Sequence, residues 1–254
     1  MACDVGSPTA LRDAPQVVGA YPLEGASGVP LDGPFIVNFD RRVSPRSVSR
    51  GSIRVASGNT SIFLSVRYDI LEQRAVAVPF DGARLTPDVD YRLVIEGVED
   101  LDGGVMAAPV TIHFHTGRDV ARQAPVRATA AWGAVEPIFA RSCATAACHD
   151  ASFRAAGLDL SSSNGVATTA IGAPATTLPS GSVGEEGASG GPFFTGLRIV
   201  DVLGGVGRAD TSYLVYTVLG DPHIYGDPMP PDAPLSSGEI ATVVAWINAG
   251  APTQ

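Results

Sequence analysis

"PFIVNFD", residues 34–40, alternates apolar and polar side chains and puts Phe35, Val37 and Phe39 on one face. A period of two is the signature of a half-buried strand. The same pattern recurs on both sides. "SIRV" (52–55) and "SIFLSVRYDI" (61–70) follow, then "AVAVPF" (75–80), which stops at Asp81-Gly82. "DYRLVIEGV" (90–98) aligns Tyr91, Leu93 and Ile95, and "VTIHFHTG" (110–117) closes the series. Short β runs at regular spacing, separated by Gly, Asp and Pro, predict a β-sandwich over residues 16–117.

The chain has 254 residues, enough for two ordinary domains. It is 45% hydrophobic and 17% charged, with 29 Gly and 20 Pro, a globular and turn-rich composition. Net charge is −9 and unevenly spread. Residues 131–254 carry four Arg against eleven Asp and Glu, giving −7, and residues 1–130 carry the remaining −2. No basic stripe is present, so the reading includes no nucleic-acid partner. No apolar run reaches the ~20 residues of a membrane-spanning helix. The opening "MACD" resembles the end of a bacterial lipobox. In that reading Cys3 is lipidated, residues 1–15 are a flexible tether, and the chain attaches to a membrane through its N-terminal lipid. An ordinary exposed cysteine in a tail is the competing reading.

Three features of the β region have plain structural explanations. "DLDGG" (100–104) lacks most positions of a calcium loop and reads as a hairpin turn. His113 and His115 share a strand face but have no third ligand nearby in sequence, so they read as exposed strand residues. Met106 reads as packing.

After a linker at 118–130, residues 131–252 change character. Trp132, Val135, Ile138 and Phe139 repeat at helical spacing, although Pro137 must start or kink that helix. A third helix is expected within 210–220. The last begins at a capping box, Ser236-x-x-Glu239, and ends at Gly250 and Pro252. The Ser-, Thr- and Gly-rich stretch 161–191 reads as loop. Between the first two helices lies "SCATAACHD" (142–150), with Cys143 and Cys148 followed by His149. Met229 stands in "DPMPPD", framed by Pro228, Pro230 and Pro231.

A covalent haem site is usually written C-x-x-C-H, and here the spacer is four residues. Residues five apart on a helix lie about 140° apart, so both sulfurs reach one side only if "ATAA" bulges. The residues leave three readings open. The pair could bear haem thioethers, form a disulfide, or join His149 around zinc with no obvious fourth ligand.

Two family resemblances add to this. "YPLEGASGVPLDGPFIVNFDRRVSPRSV", "RLTPDVDYRLVIEGVEDLDGG" and "IHFHTG" resemble the bacterial Ig-like domain of surface-layer proteins, over about residues 16–117. That resemblance implies a spacer or adhesive module without catalytic residues. "VEPIFARSCATAACHDASFRAAGLDLSS", "DTSYLVYTVLGDP" and "DPMPPDAPLSSGEIATVVAWINAGAP" resemble the cytochrome c-like domains of planctomycetes and myxobacteria, over 131–252. By position this implies haem c bound through Cys143 and Cys148, with His149 the proximal and Met229 the distal iron ligand. The expected fold is multidomain: an all-β Ig-like sandwich followed by an all-α class I cytochrome c-like domain with long loops. The expected function is an extracytoplasmic (periplasmic or cell-surface) monohaem electron-transfer protein, not an enzyme, working with a redox partner protein. The alternative is a haem-less cell-surface structural or binding protein carrying a Cys143–Cys148 disulfide.

Overall fold

The computed structural model describes residues 14–121, 128–175, 192–194, 196–224 and 226–254. Cys3, most of the 1–15 tail and residues 122–127 of the linker lie outside these. The chain divides into two compact units, Met1–Arg67 with Gln73–Val120, and Ala121–Gln254 with the short stretch Tyr68–Glu72.

The first unit is a sandwich of two sheets. One has the order β1-β3-β7-β6, from Val17–Tyr21, Phe35–Phe39, Arg74–Pro79 and Leu64–Asp69. The other has the order β2-β9-β8-β4-β5, from Ala26–Val29, Val110–Thr116, Asp90–Ile95, Ile53–Ser57 and Thr60–Ile62. The β2–β9 pair is parallel, while β9–β8, β8–β4 and β4–β5 are antiparallel. The alternation in "PFIVNFD" is realised directly, since Phe35, Val37 and Phe39 are buried and Ile36 and Asn38 are less so. From the facing sheet come Val55, Leu93, Ile95 and Phe114. Phe35 meets Phe114 across the interior at 5.7 Å, and Tyr91 stacks on Phe114 at 5.8 Å. Burying such side chains is worth about 1.5–3 kcal/mol each, which makes this layer the main source of the module's stability.

The expected single run 61–70 is two strands, broken at Phe63 where the chain passes from one sheet to the other. The edge strands β1 and β2 carry little apolar alternation and were not expected from sequence. "DLDGG" is a turn, as expected: Asp100 Oδ1 accepts the N–H groups of Asp102 (3.0 Å) and Gly104 (2.7 Å).

The second unit corrects the expected fold. It is not an all-α class I cytochrome c-like domain. Among the described residues its α-helices are α1 (Trp132–Ser142), α2 (Ser163–Thr169), α3 (Tyr213–Val218) and α4 (Ser237–Asn248), and of these only α1 and α4 exceed two turns. Between them the chain turns to β structure. β10 (Val202–Leu203) and β11 (Val206–Gly207) form a hairpin around Gly204 and Gly205, both at positive φ. Single bridges join Ile171 to Val200, Pro174 to Arg198 and Arg198 to Ser212. The physical reason is local. "VLGGVG" pairs β-branched residues with a Gly-Gly turn, a hairpin signal, and no helical stripe competes with it.

Pro137 is the sixth residue of α1, so it sits inside the helix rather than at its start. The stretch 161–191 holds α2, capped by Ser162, whose side chain accepts from Gly165 N–H at 3.1 Å. Residues 176–191 of that stretch lie outside the described ones. Helices α1 and α4 pack through rings: Phe139 is perpendicular to Trp246 at 5.8 Å, and Trp132 lies 6.2 Å from Trp246. Among the described residues, no helix is long and apolar enough to cross a membrane.

Candidate functional site: the Cys143–His149 turn

The buried stripe of α1 runs Trp132, Val135, Ile138, Phe139 and continues into Cys143, which ends the helix. Cys143 is thus placed by helical periodicity, four residues after Phe139. Its N–H donates to the Phe139 carbonyl at 2.9 Å. Burial, and secondarily the neighbouring Cys148, pushes its thiol up to about 11. At neutral pH the group is therefore a neutral thiol rather than a thiolate, the form that attacks electrophiles or binds metals.

"ATAA" leaves the helix, as haem attachment or a disulfide through this spacer would require. Ala147 adopts a left-handed conformation (φ 63°), and Cys148 N–H donates to the Thr145 carbonyl at 3.0 Å. The turn then doubles back, with His149 N–H donating to the Cys143 carbonyl at 3.1 Å. Cys148 is half-buried, and both sulfurs are free thiols in the structure.

His149 is held on three sides. Its carbonyl accepts from Leu160 N–H at 2.8 Å, and Ala155 N–H donates to the Cys148 carbonyl at 2.9 Å. Its ring Nδ1 lies 3.0 Å from the Ala155 carbonyl. A carbonyl only accepts, so in the neutral ring Nδ1 carries the proton and Nε2 keeps its lone pair. That is the tautomer an imidazole ligand needs, with its second nitrogen anchored. Ala155 was not singled out from sequence; a backbone carbonyl leaves no residue-type signal.

Nearby, Asp159 is buried and its carboxyl is held below the usual range. The Ser161 hydroxyl, at 2.6 Å, is the main cause, then the Ser161 N–H, with Arg154 contributing. It fixes the loop after the turn rather than offering an acid–base group.

Met229 sits in a separate loop, half-buried, with its N–H donating to the Thr217 carbonyl of α3 at 3.2 Å. The structure brings Cys143, Cys148 and His149 into one turn and ties Met229 to the end of α3. The same Met229 loop holds a pair that sequence reasoning passed over: His223 Nδ1 lies 2.7 Å from Oδ1 of the buried Asp221. The signal was the D-P-H order in residues 221–223. Among the described residues, no group of three or more His, Cys, Asp and Glu converges to hold a metal ion, so a zinc site at Cys143, Cys148 and His149 finds no support. In the first unit, His113 and His115 face carboxylates, with Nδ1 atoms 3.3 Å from Glu24 Oε1 and 2.8 Å from Asp90 Oδ1.

The architecture of the first unit has a matching family. Residues 12–116 match the family model described as the bacterial Ig-like domain. Among solved structures, the S-layer protein SbsC is similar at 19% identity and a TM-score of 0.33, over 46% of this chain and 15% of that one. PcoC, a methionine-rich copper resistance protein from Escherichia coli, is similar at 15% identity and a TM-score of 0.32, over 41% of this chain and 99% of that one. CopC from Methylosinus trichosporium OB3b gives 14% identity and a TM-score of 0.33, over 44% and 99%. At such TM-scores these likenesses carry no further argument. No curated protein matches the chain.

Proposed function

We propose that this is an extracytoplasmic, cell-surface protein of structural or binding type. In it the Ig-like module serves as a spacer or adhesive unit, and the second unit is a small domain pinned by a Cys143–Cys148 disulfide. The observation that carries the reading is the complete sandwich of the first unit, matched over residues 12–116 by the bacterial Ig-like family. Attachment through a lipid on Cys3 belongs to this reading. The two cysteines are free thiols in the structure, and the proposed disulfide is their oxidised form. They lie on one short segment, Cys143 closing α1 and Cys148 five residues on, within the turn that doubles back on it. The closed loop is short, so the bridge would stabilise by less than the ~3 kcal/mol of a 15-residue loop. Its role is to hold the 143–160 turn against α1.

A second reading is favoured by one observation, the anchored tautomer of His149. In it Cys143 and Cys148 carry haem c, whose iron supplies one-electron chemistry when bound, and the chain is an electron-transfer protein. His149 would present Nε2 to the iron and Met229 its sulfur.

One preparation distinguishes the two. The chain is produced in the periplasm of a host with haem-attachment machinery, and its intact mass and absorbance are measured. A mass two hydrogens below the dithiol form, with no Soret band, is expected from the disulfide reading. A covalent haem mass with a Soret band overturns it in favour of the second.

A further inference from the structure

An open depression of about 750 Å³ lies in the first unit, lined by Val48, Arg50, Arg54, Ser61, Phe63 and Val66 among others. Two arginines and no acidic residue line it, on a chain whose net charge is −9. Arg54 is already engaged, with Glu96 at 2.6 Å and the Gly51 carbonyl at 3.0 Å. Arg50 is not. Its guanidinium lies 4.5 Å from the centroid of Phe63 and makes no hydrogen bond or ion pair with a described residue. Phe63 is itself 52% exposed and is held edge-on by Phe80 at 5.1 Å. The ring contact holds the guanidinium over Phe63 while its N–H donors make no hydrogen bond with a described residue, leaving them able to take a carboxylate in two parallel bonds.

The backbone around the depression is also incomplete. Ser61 and Ile62 belong to β5, the last strand of the five-stranded sheet, and Leu64 and Val66 belong to β6, the last strand of the other sheet. Phe63 marks the crossing between them. An edge strand presents unpaired N–H and C=O groups that an added strand can satisfy.

We propose that this corner is a docking site for an extended acidic peptide segment. The segment adds along the β5 edge, with a carboxylate on Arg50 and an apolar side chain against Phe63 and Val66. An acidic polysaccharide could use Arg50 and the ring, but it would not use a sheet edge.

The test is fluorescence anisotropy on the full chain with a labelled peptide alternating aspartate and valine. The acidic peptide is expected to bind, and a lysine–valine peptide is expected not to. Arg50→Ala should weaken binding about tenfold or more, the usual weight of a charge-assisted hydrogen bond. Arg84→Ala, on an exposed loop outside the depression, should leave it unchanged. N-methylation of alternate peptide amides should abolish it. If Arg50→Ala fails to fold, Arg50→Lys keeps the charge without the fork and should still weaken binding. The proposal is overturned by any of four results: no binding of the acidic peptide, equal binding of the lysine peptide, no loss at Arg50, or an equal loss at Arg84. It is also overturned if methylation has no effect, or if an oligogalacturonate binds where the peptide does not.

Discussion

His149 and Ala155 are joined side chain to main chain, with ring Nδ1 3.0 Å from the carbonyl oxygen. The contact assigns the proton in the neutral ring to Nδ1. Nitrogen-15 spectra of the reduced, haem-free chain at about pH 8, above the ordinary histidine range, should show a protonated Nδ1 and an unprotonated Nε2. The opposite tautomer would remove the one observation favouring an iron ligand.

Cys143 and Cys148 should differ sharply in reactivity. Cys143 is 6% exposed and its thiol is raised to about 11, first by burial and then by Cys148. Cys148 is half-buried at the turn surface. In the reduced chain at neutral pH, iodoacetamide should label Cys148 well before Cys143, read by peptide mass mapping. Denaturant should erase the difference. Equal rates in the native chain would mean that Cys143 is not buried at the end of α1 as described.

The rings joining α1 to α4 should dominate the stability of the second unit. Phe139 and Trp246 are fully buried and perpendicular at 5.8 Å, and Trp246 Nε1 donates to the Pro252 carbonyl at 2.8 Å. Phe139→Ala should cost about 3–5 kcal/mol, the usual range for emptying a buried aromatic site. Chemical denaturation followed by tryptophan fluorescence reads this, since both tryptophans, Trp132 and Trp246, lie in this cluster. A cost below about 1 kcal/mol would show that the helices do not rest on these rings.

How much of this could be read beforehand depends on the range of the interactions involved. The strands β3, β8 and β9 declared themselves because one face of each is buried, which imposes a period of two on "FIVNF", "DYRLVI" and "VTIHFHT". The helix α4 declared itself because its stop and start signals are local, with Glu239 three residues after Ser236. The second unit misled because its recognisable parts, the Cys–His turn, the Met–Pro loop and the last helix, say nothing about the chain between them. There the strands of "VLGGVG" are only two residues each, too short to show a period, and the bridges at Val200 and Arg198 are set by pairing with residues distant in sequence. His149 was visible as a candidate because its neighbours in sequence are cysteines. Its anchor, a backbone carbonyl six residues on, was not.

Ser236 and Glu239 close the start of α4 reciprocally. Glu239 N–H donates to the Ser236 hydroxyl at 3.3 Å, and Ser236 N–H donates to the Glu239 carboxylate at 2.8 Å. Arg141 of α1 reaches the same carboxylate. The Ser236 N–H and hydroxyl, and then Arg141, hold the Glu239 carboxyl below its ordinary value. A depressed carboxyl contributes stability that is present above its unfolded pKa and is lost as pH falls through the folded one. Glu239→Gln should therefore lower Tm near neutrality and lose that effect as the pH falls through the depressed folded value. Ser236→Ala removes the cap itself and should cost about 1 kcal/mol at neutral pH. A Glu239→Gln penalty that stays constant from neutral pH down to acid would show that the carboxylate charge contributes nothing at this helix start.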